Sequence, residues 1–189
     1  IDVWKNQQLS YKKLLLDLPG LYQLKNVKGA LQAVQLLNEL GFNISDKELR
    51  FGLRSVKKYT GLQGRWQLIA NNPSIICDTG HNEAGIAEIL KQLAVTPHRK
   101  LHWVLGVVND KDITKILSML PKSAQYYYCK PNIPRGLAAA ELKKTATLHA
   151  LKGEVYASVA EALTVAKRKA VAADLILVAG SNFVVAEVI

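Results

Sequence analysis

"SIICDTGHNEAGIAEILKQL", residues 74–93, decides the fold. A short apolar run ends in an acid, Asp78. Thr79, Gly80, His81 and Asn82 follow, and then a helical pattern runs over 84–94. Strand, polar turn and helix in immediate succession make the repeating unit of an α/β sheet. The same alternation holds on both sides. Strand-like runs at 66–70, 101–107, 125–129, 154–157 and 175–180 are separated by helical patterns at 111–120, 138–149 and 158–172, and "FVVAEV" (183–188) reads as one more strand. Short apolar strands joined by amphipathic helices pack as right-handed crossovers. The pattern therefore predicts a Rossmann-like α/β fold, with a mostly parallel sheet flanked by helices.

Upstream the register differs. Residues 1–17 read as weakly patterned strand, and "LPGLYQLKN" (18–26) is a Pro-Gly turn leading into a helix. From Asn26 to Leu40 the apolar residues Val27, Ala30, Leu31, Val34, Leu37 and Leu40 recur at three- and four-residue steps, and Gly41 closes the pattern. Ser45 with Glu48 makes a capping box for a second helix that ends near Lys57. Two helices with so little before them cannot close a core, so 1–60 is expected to be the tail of a truncated domain. Residues 61–65, within the glycine-containing "YTGLQGR", form the expected linker, and 66–189 the α/β domain.

The bulk numbers narrow the function classes. The chain has 189 residues, 49% hydrophobic and 21% charged, as globular domains have. It contains no apolar run of membrane-spanning length and no basic-then-apolar leader in its first residues. A soluble, cytoplasmic protein without a membrane partner is the expectation. The formal charge of +10 suits an anionic ligand, but the lysines are scattered and no arginine stripe alternates with aromatics, so nucleic acid is not the expected partner. Cys77 and Cys129 lie in apolar strand-like runs, which argues against a disulfide framework.

Ligands of open α/β sheets collect at the carboxyl ends of the strands. Three polar groups of residues fall there: Asp78 to Asn82, "NDKD" at 109–112, and Gly180, Ser181, Asn182. Each has a plain structural alternative. Asn82 or Asp112 can cap a helix, Gly80 can supply a positive φ, and Ser181 can close a turn. Taken together they suggest a site in which an acid accepts from ribose hydroxyls while a histidine meets a carboxylate or phosphate. The chain has no GxGxxG and no GxxxxGK[ST], so it carries no phosphate cradle of its own. No metal-ligand motif is present: His98 and His102 are four apart, but Pro97 and a following strand argue against a helical pair. Ser181 lies in GSN rather than GxSxG, and Cys77 reads as core rather than nucleophile.

These stretches, in this order, resemble the folylpolyglutamate synthase/dihydrofolate synthase family of the Mur ligase superfamily. "GRWQLIANNPSIICDTGHNEAGIAEILKQL" is similar to the start of its C-terminal domain, with Gly-Arg-aromatic-Gln followed by Asp-Gly-Ala-His-Asn-Pro. "LPGLYQLKNVKGALQAVQLL" resembles the helix closing its central ATPase domain. "GVVNDKD", "PRGLAAAEL" and "LILVAGSNFVVAEV" resemble its later motifs. The resemblance implies a Mur ligase C-terminal type of domain and an ATP-dependent amide ligase. In that reaction ATP phosphorylates a carboxylate of folate or dihydropteroate, and the amino group of L-glutamate attacks the acyl phosphate, with Mg2+ neutralising phosphate charge.

Carried over residue by residue, the resemblance implies that Asn26 meets the adenine, Arg65 the ATP phosphates and Asp78 the ribose, with His81 and Ser181 toward the incoming glutamate. Arg65 and His81 are the implied catalytic pair. Asn82, Lys111 and Arg135 match motif positions without a role beyond loop shaping or anion attraction. Thr79 and Glu83 depart from the alanine-like and proline-like residues of the pattern. The family's P-loop, magnesium ligands and central-domain lysine have no counterpart here, so the chain is expected to be a carboxyl-terminal fragment, inactive alone and, like the family, monomeric. Two other readings stay open: a free-standing α/β module that binds a nucleotide or amino acid without chemistry, and a wall-building Mur-type ligase.

Overall fold

LHWVL and LILVA are runs of five residues with every position buried, and they lie side by side in the middle of a sheet. Strands covered on both faces need no polar alternation, which is why they read as unbroken apolar runs. Residues 1–109 and 113–189 are described by a computed structural model, and they divide into two units, Ile1–Gln63 and Gly64–Ile189.

The first unit opens with a hairpin, β1 (Val3–Lys5) and β2 (Gln8–Tyr11), turned by Asn6 and Gln7, both at positive φ as a two-residue hairpin turn demands. Helix α1 (Gln23–Glu39) follows, starting three residues before Asn26 and so placing that residue in its first turn. The second predicted helix is two pieces, α2 (Asp46–Leu53) and α3 (Val56–Thr60). Its start is as read. The Ser45 hydroxyl accepts from the Glu48 amide while the Glu48 carboxylate accepts from the Ser45 amide, a cap worth about 1 kcal/mol. The fully buried residues here are few, with Leu14, Val27, Leu31 and Leu49 forming one small cluster.

The second unit holds β3 (Gln67–Ala70), β4 (Ser74–Asp78), α4 (Glu83–Ala94), β5 (Leu101–Leu105), α5 (Thr114–Met119), β6 (Gln125–Tyr128), α6 (Ala139–Leu148), β7 (Gly153–Val155), α7 (Val159–Lys169), β8 (Leu175–Ala179) and α8 (Asn182–Ala186). The sheet runs β3-β4-β8-β5-β6-β7, parallel throughout except for the antiparallel edge strand β3. One face buries Trp103, Tyr126 and Tyr128 against α4, α5 and α6 residues such as Ile89, Leu117 and Leu142. The other buries Val104, Tyr127 and Ile176 against α7 and α8. The mostly parallel α/β sheet flanked by helices that the sequence predicts is thus observed.

The final segment corrects the sequence reading. "FVVAEV" is not a strand but holds the short helix α8. Both sides of β8 are already paired, to β4 and to β5, so no ladder position remains beside it. The adjacent Val184 and Val185 are instead buried together on the α7 face, as one side of a helical turn allows. Among the described residues, no helix is long and apolar enough to cross a membrane.

Candidate functional site at the strand ends

The loop after β4 and the segment before β3 fold as one piece. Asp78, only 3% exposed, accepts the Trp66 amide on Oδ2 at 2.8 Å and the Gly80 amide on Oδ1 at 2.9 Å. Thr79 donates its amide to the Gly64 carbonyl at 2.9 Å, and the Gln67 side chain accepts the Gly64 amide at 2.7 Å. This geometry needs a glycine at 64. Its φ is +66°, and a Cβ there would stand 2.6 Å from Cγ2 of Thr79. Every residue of Gly-Arg-Trp-Gln except the arginine is therefore occupied in shaping the loop, which fixes the half-buried Arg65 beside the Asp78 carboxylate's own partners.

His81 is half-buried with Nδ1 3.0 Å from the Thr79 carbonyl. An Nδ1–H donated to that oxygen leaves Nε2 as the acceptor. Asn82 caps α4, accepting the Gly85 amide at 2.8 Å. Gly80 does not supply a positive φ. It is small because a Cβ would meet Ile89 Cδ1 at 2.7 Å and the Gly85 backbone at 3.2 Å, so the loop lies directly on the helix. The neighbouring Cys77 thiol is pushed up to about 12 by burial and, secondarily, by the Asp78 charge, which makes it an inert core residue.

Ser181 stands at the next strand end. Asp78 lies opposite Ala179 in the β4–β8 ladder, two residues before Ser181. The serine is 2% exposed and its hydroxyl accepts the Phe183 amide at 3.2 Å, so it caps α8. Gly180, at φ +116°, makes the turn possible, because a Cβ would lie 2.7 Å from Leu105 and 2.8 Å from the Gly106 carbonyl. Arg65, Asp78, His81 and Ser181 are thus gathered at one end of the sheet. Asn26 belongs to the first unit, exposed on α1 with its amide donating to Gln23 at 2.9 Å. Lys111 and Asp112 lie outside the described residues.

Two arrangements escaped the sequence reading. The loop after β6 reaches over β5 to α8. Arg135 places its guanidinium carbon 5.0 Å from the Phe183 ring centroid, and the Asn132 amide donates to the Glu187 carboxylate at 2.7 Å. At the opposite end of the sheet, Asp174, 2% exposed, accepts from Arg99 at 2.9 and 3.2 Å, from the Val171 amide at 3.0 Å and from His102 Nε2 at 3.3 Å. The His102 Nδ1 lies 2.8 Å from the Tyr127 hydroxyl. The Arg99 hydrogen bonds hold the Asp174 carboxyl far below its ordinary range, and burial lowers the His102 pKa. The one available signal was a histidine inside an otherwise apolar strand, LHWVL. Among the described residues no three His, Cys, Asp or Glu side chains cluster as metal ligands.

Comparison with known proteins fits this geometry. The family model of the "Mur ligase, glutamate ligase domain" matches residues 64–182. The Escherichia coli dihydrofolate synthase/folylpolyglutamate synthase is 32% identical over 161 residues, 84% of this chain and 36% of that protein. The structure of E. coli FolC in complex with DHPP and ADP is similar with a TM-score of 0.70 at 30% identity, covering 82% of this chain and 36% of that one. The Yersinia pestis bifunctional folylpolyglutamate synthase/dihydrofolate synthase, complexed with AMPPNP and Mn ion, gives 0.69 at 28% identity over 82% and 36% of the two chains. This chain spans about a third of the length of those relatives. It belongs to the Mur ligase family through its glutamate ligase domain, and it corresponds to the carboxyl-terminal part of the folylpolyglutamate synthase members.

Proposed function

We propose that this chain supplies the glutamate ligase domain of an ATP-dependent amide ligase that joins L-glutamate to folate or dihydropteroate. The observation that carries the reading is the pairing of two strand ends: Asp78 and His81 after β4, Ser181 after β8, with Arg65 held beside them by the Gly64, Trp66 and Gln67 contacts. Asp78 accepts backbone amides on both carboxylate oxygens, the same acceptor chemistry that contact with ribose hydroxyl donors needs. Arg65 is the cation for the ATP phosphates, whose charge rises as the γ-phosphoryl group leaves for the substrate carboxylate.

His81, with Nε2 as acceptor, and Ser181 lie on the side of the incoming glutamate. An imidazole there can take the proton that the amino group loses on attacking the acyl phosphate. Asn26 contributes the adenine contact. The relatives' bound ADP, AMPPNP and Mn fit a nucleotide with a divalent metal, Mg2+ in our reading, which neutralises phosphate charge. We assign no metal ligand to this chain's described residues. The protein acts in the cytoplasm as a monomer. The 189-residue chain by itself forms no ADP in this reading, because it contains no GxxxxGK[ST].

The test is made on the protein encoded by the complete reading frame that contains these residues. ADP formation should require L-glutamate together with folate or dihydropteroate. Amide exchange at 65–85 and 178–184 should slow only when nucleotide, pterin substrate and glutamate are combined. ADP formation driven by a nucleotide-linked peptide instead would make it a wall-building ligase, and no ADP formation at all would make it a binding module.

A further inference from the structure

Arg65 stands between two residues in the left-handed region, Gly64 at φ +66° and Trp66 at φ +50°. Glycine adopts that conformation freely, whereas a bulky aromatic residue keeps it only where its surroundings hold it there. Side chains do the holding on both sides. Gln67 turns back so that its Oε1 accepts the Gly64 amide at 2.7 Å, and Asp78 Oδ2 accepts the Trp66 amide at 2.8 Å. The Trp66 side chain is buried in the same cluster as Ile89. The arginine is the contrast. It is half-buried, and among the described residues no hydrogen bond, ion pair or aromatic ring engages its guanidinium.

The turn is joined directly to the strand-end site, within the second unit. The Thr79 amide donates to the Gly64 carbonyl at 2.9 Å, and the carbonyl of the same threonine lies 3.0 Å from His81 Nδ1. A Cβ on Gly64 would stand 2.6 Å from Thr79 Cγ2 and 3.1 Å from Val185 Cγ1, so the turn rests on the Asp78–His81 loop and on α8, which Ser181 caps. Gln67 itself pairs with Cys77 in the β3–β4 ladder, one residue before Asp78. Its backbone serves the sheet while its side chain serves the turn. Without that acceptor the buried Gly64 amide loses its partner, and a glycine has the widest backbone freedom with which to relax.

We propose that Gln67 is a positioning residue for Arg65: by accepting the Gly64 amide it holds the left-handed turn that directs the guanidinium at the phosphate oxygens of the nucleotide. The inference rests on the ligase reading above and deepens it by naming the side chain that aims the cation. Aim matters because the planar guanidinium meets phosphate through two parallel hydrogen bonds, and a small misplacement of a group that acts in the transition state costs rate steeply. A lysine ammonium is a point charge on a flexible stem and depends less on where its backbone points.

Steady-state kinetics on the protein from the complete reading frame test it, with ATP and L-glutamate varied separately and rates referred to folded enzyme. Q67M, which keeps the length of the side chain and has no amide oxygen, should lower kcat/KM for ATP about tenfold while KM for L-glutamate changes less than twofold. Q67E, which keeps an acceptor for the Gly64 amide, should return kcat/KM to within about threefold of wild type. In an R65K background the effect of Q67M should shrink to less than about twofold. A merely structural role for Gln67 would lower the amount of folded enzyme and leave kcat/KM unchanged, which overturns the inference while the ligase reading stands. An equal loss from Q67M in the Arg65 and R65K backgrounds, or a Q67E no better than Q67M, overturns it as well. Wild-type protein that forms no ADP in response to glutamate and the pterin substrate overturns the ligase reading itself, and this inference with it.

Discussion

Asp78 and Asp174 are buried to the same degree, 3% and 2% exposed, at opposite ends of adjacent sheet strands, yet they are satisfied in different ways. Asp78 draws backbone amides from its own loop and from the segment before β3. Asp174 draws side chains, the Arg99 fork and the His102 ring, together with one amide. A carboxylate that gathers amides from two segments shapes a loop around itself. One met by side chains uses them up in tying strands together. The first arrangement is what a ligand site requires of its scaffold, and the second is what a fold requires of its closed end.

The comparison is broken most directly at Asp174. D174A leaves the buried His102 without its acceptor and strands the Val171 amide, so it should cost about 3 kcal/mol in urea unfolding. It should leave the Asp78 loop unchanged. A loss below about 1 kcal/mol would mean that the cluster is incidental to stability. D78A removes acceptors from one buried and one partly buried amide, and the expected cost is smaller, about 2 kcal/mol. Its effect on function should be the reverse. In the protein of the complete reading frame, the ligase turnover proposed above should vanish in D78A and survive in D174A at temperatures where both are folded, and equal turnover in the two variants would erase the distinction.

The same contrast explains what could be read from the chain. Strand ends are legible because an apolar run terminates abruptly in Asp78 or Gly180 and a helical period follows. The loop's glycines were legible as types but not as causes: Gly80 answers to Ile89 and Gly85, which lie on the next helix turns and leave no trace in a local pattern. The last segment was misread because VV beside aromatic and alanine fits strand or helix, and the sheet's own pairing decides between them. Arg99, His102, Tyr127 and Asp174 are 75 residues apart at their extremes. No spacing rule connects them, so their cluster appears only when β5, β6 and β8 come together. For Asp78, His81 and Ser181, proximity followed from strand order, and a ribose acceptor and an anion contact followed from residue type, whereas the roles of Arg65 and Ser181 followed only from family resemblance.

A pH series sharpens the comparison with a smaller effect. His102 faces Asp174, Tyr127, Arg99 and Lys100, and burial is the largest influence on it, lowering its pKa from the ordinary 6.5. A group with a depressed folded pKa contributes stability above its unfolded value, because the unfolded chain binds the proton first as pH falls. Stability should therefore decline as pH drops below about 6.5, by up to about 1.4 kcal/mol per pH unit, and decline again below about 4, where the unfolded chain protonates Asp174 while the folded chain still holds its charge. H102Q should flatten the first decline and leave the second. If wild type and H102Q show the same slope between pH 5 and 6.5, His102 does not titrate as its burial demands.

The smallest expected effect isolates a single hydrogen bond. Tyr127 donates to His102 Nδ1 across 2.8 Å, while its ring stacks on Tyr156 with centroids 5.6 Å apart and packs in the α7 face of the core. Y127F keeps the ring and deletes the donor, so packing is conserved and one buried imidazole nitrogen is left unsatisfied. The expected loss is about 1 kcal/mol at pH 7. Because the cost arises at His102, it should largely disappear in an H102Q background, and the double-mutant cycle should return a coupling of about 0.5–1 kcal/mol. Equal losses in both backgrounds would place the cost in packing or solvation of the ring edge. The closed end of the sheet would then be held by Asp174 with Arg99 and His102, and Tyr127 would be core alone.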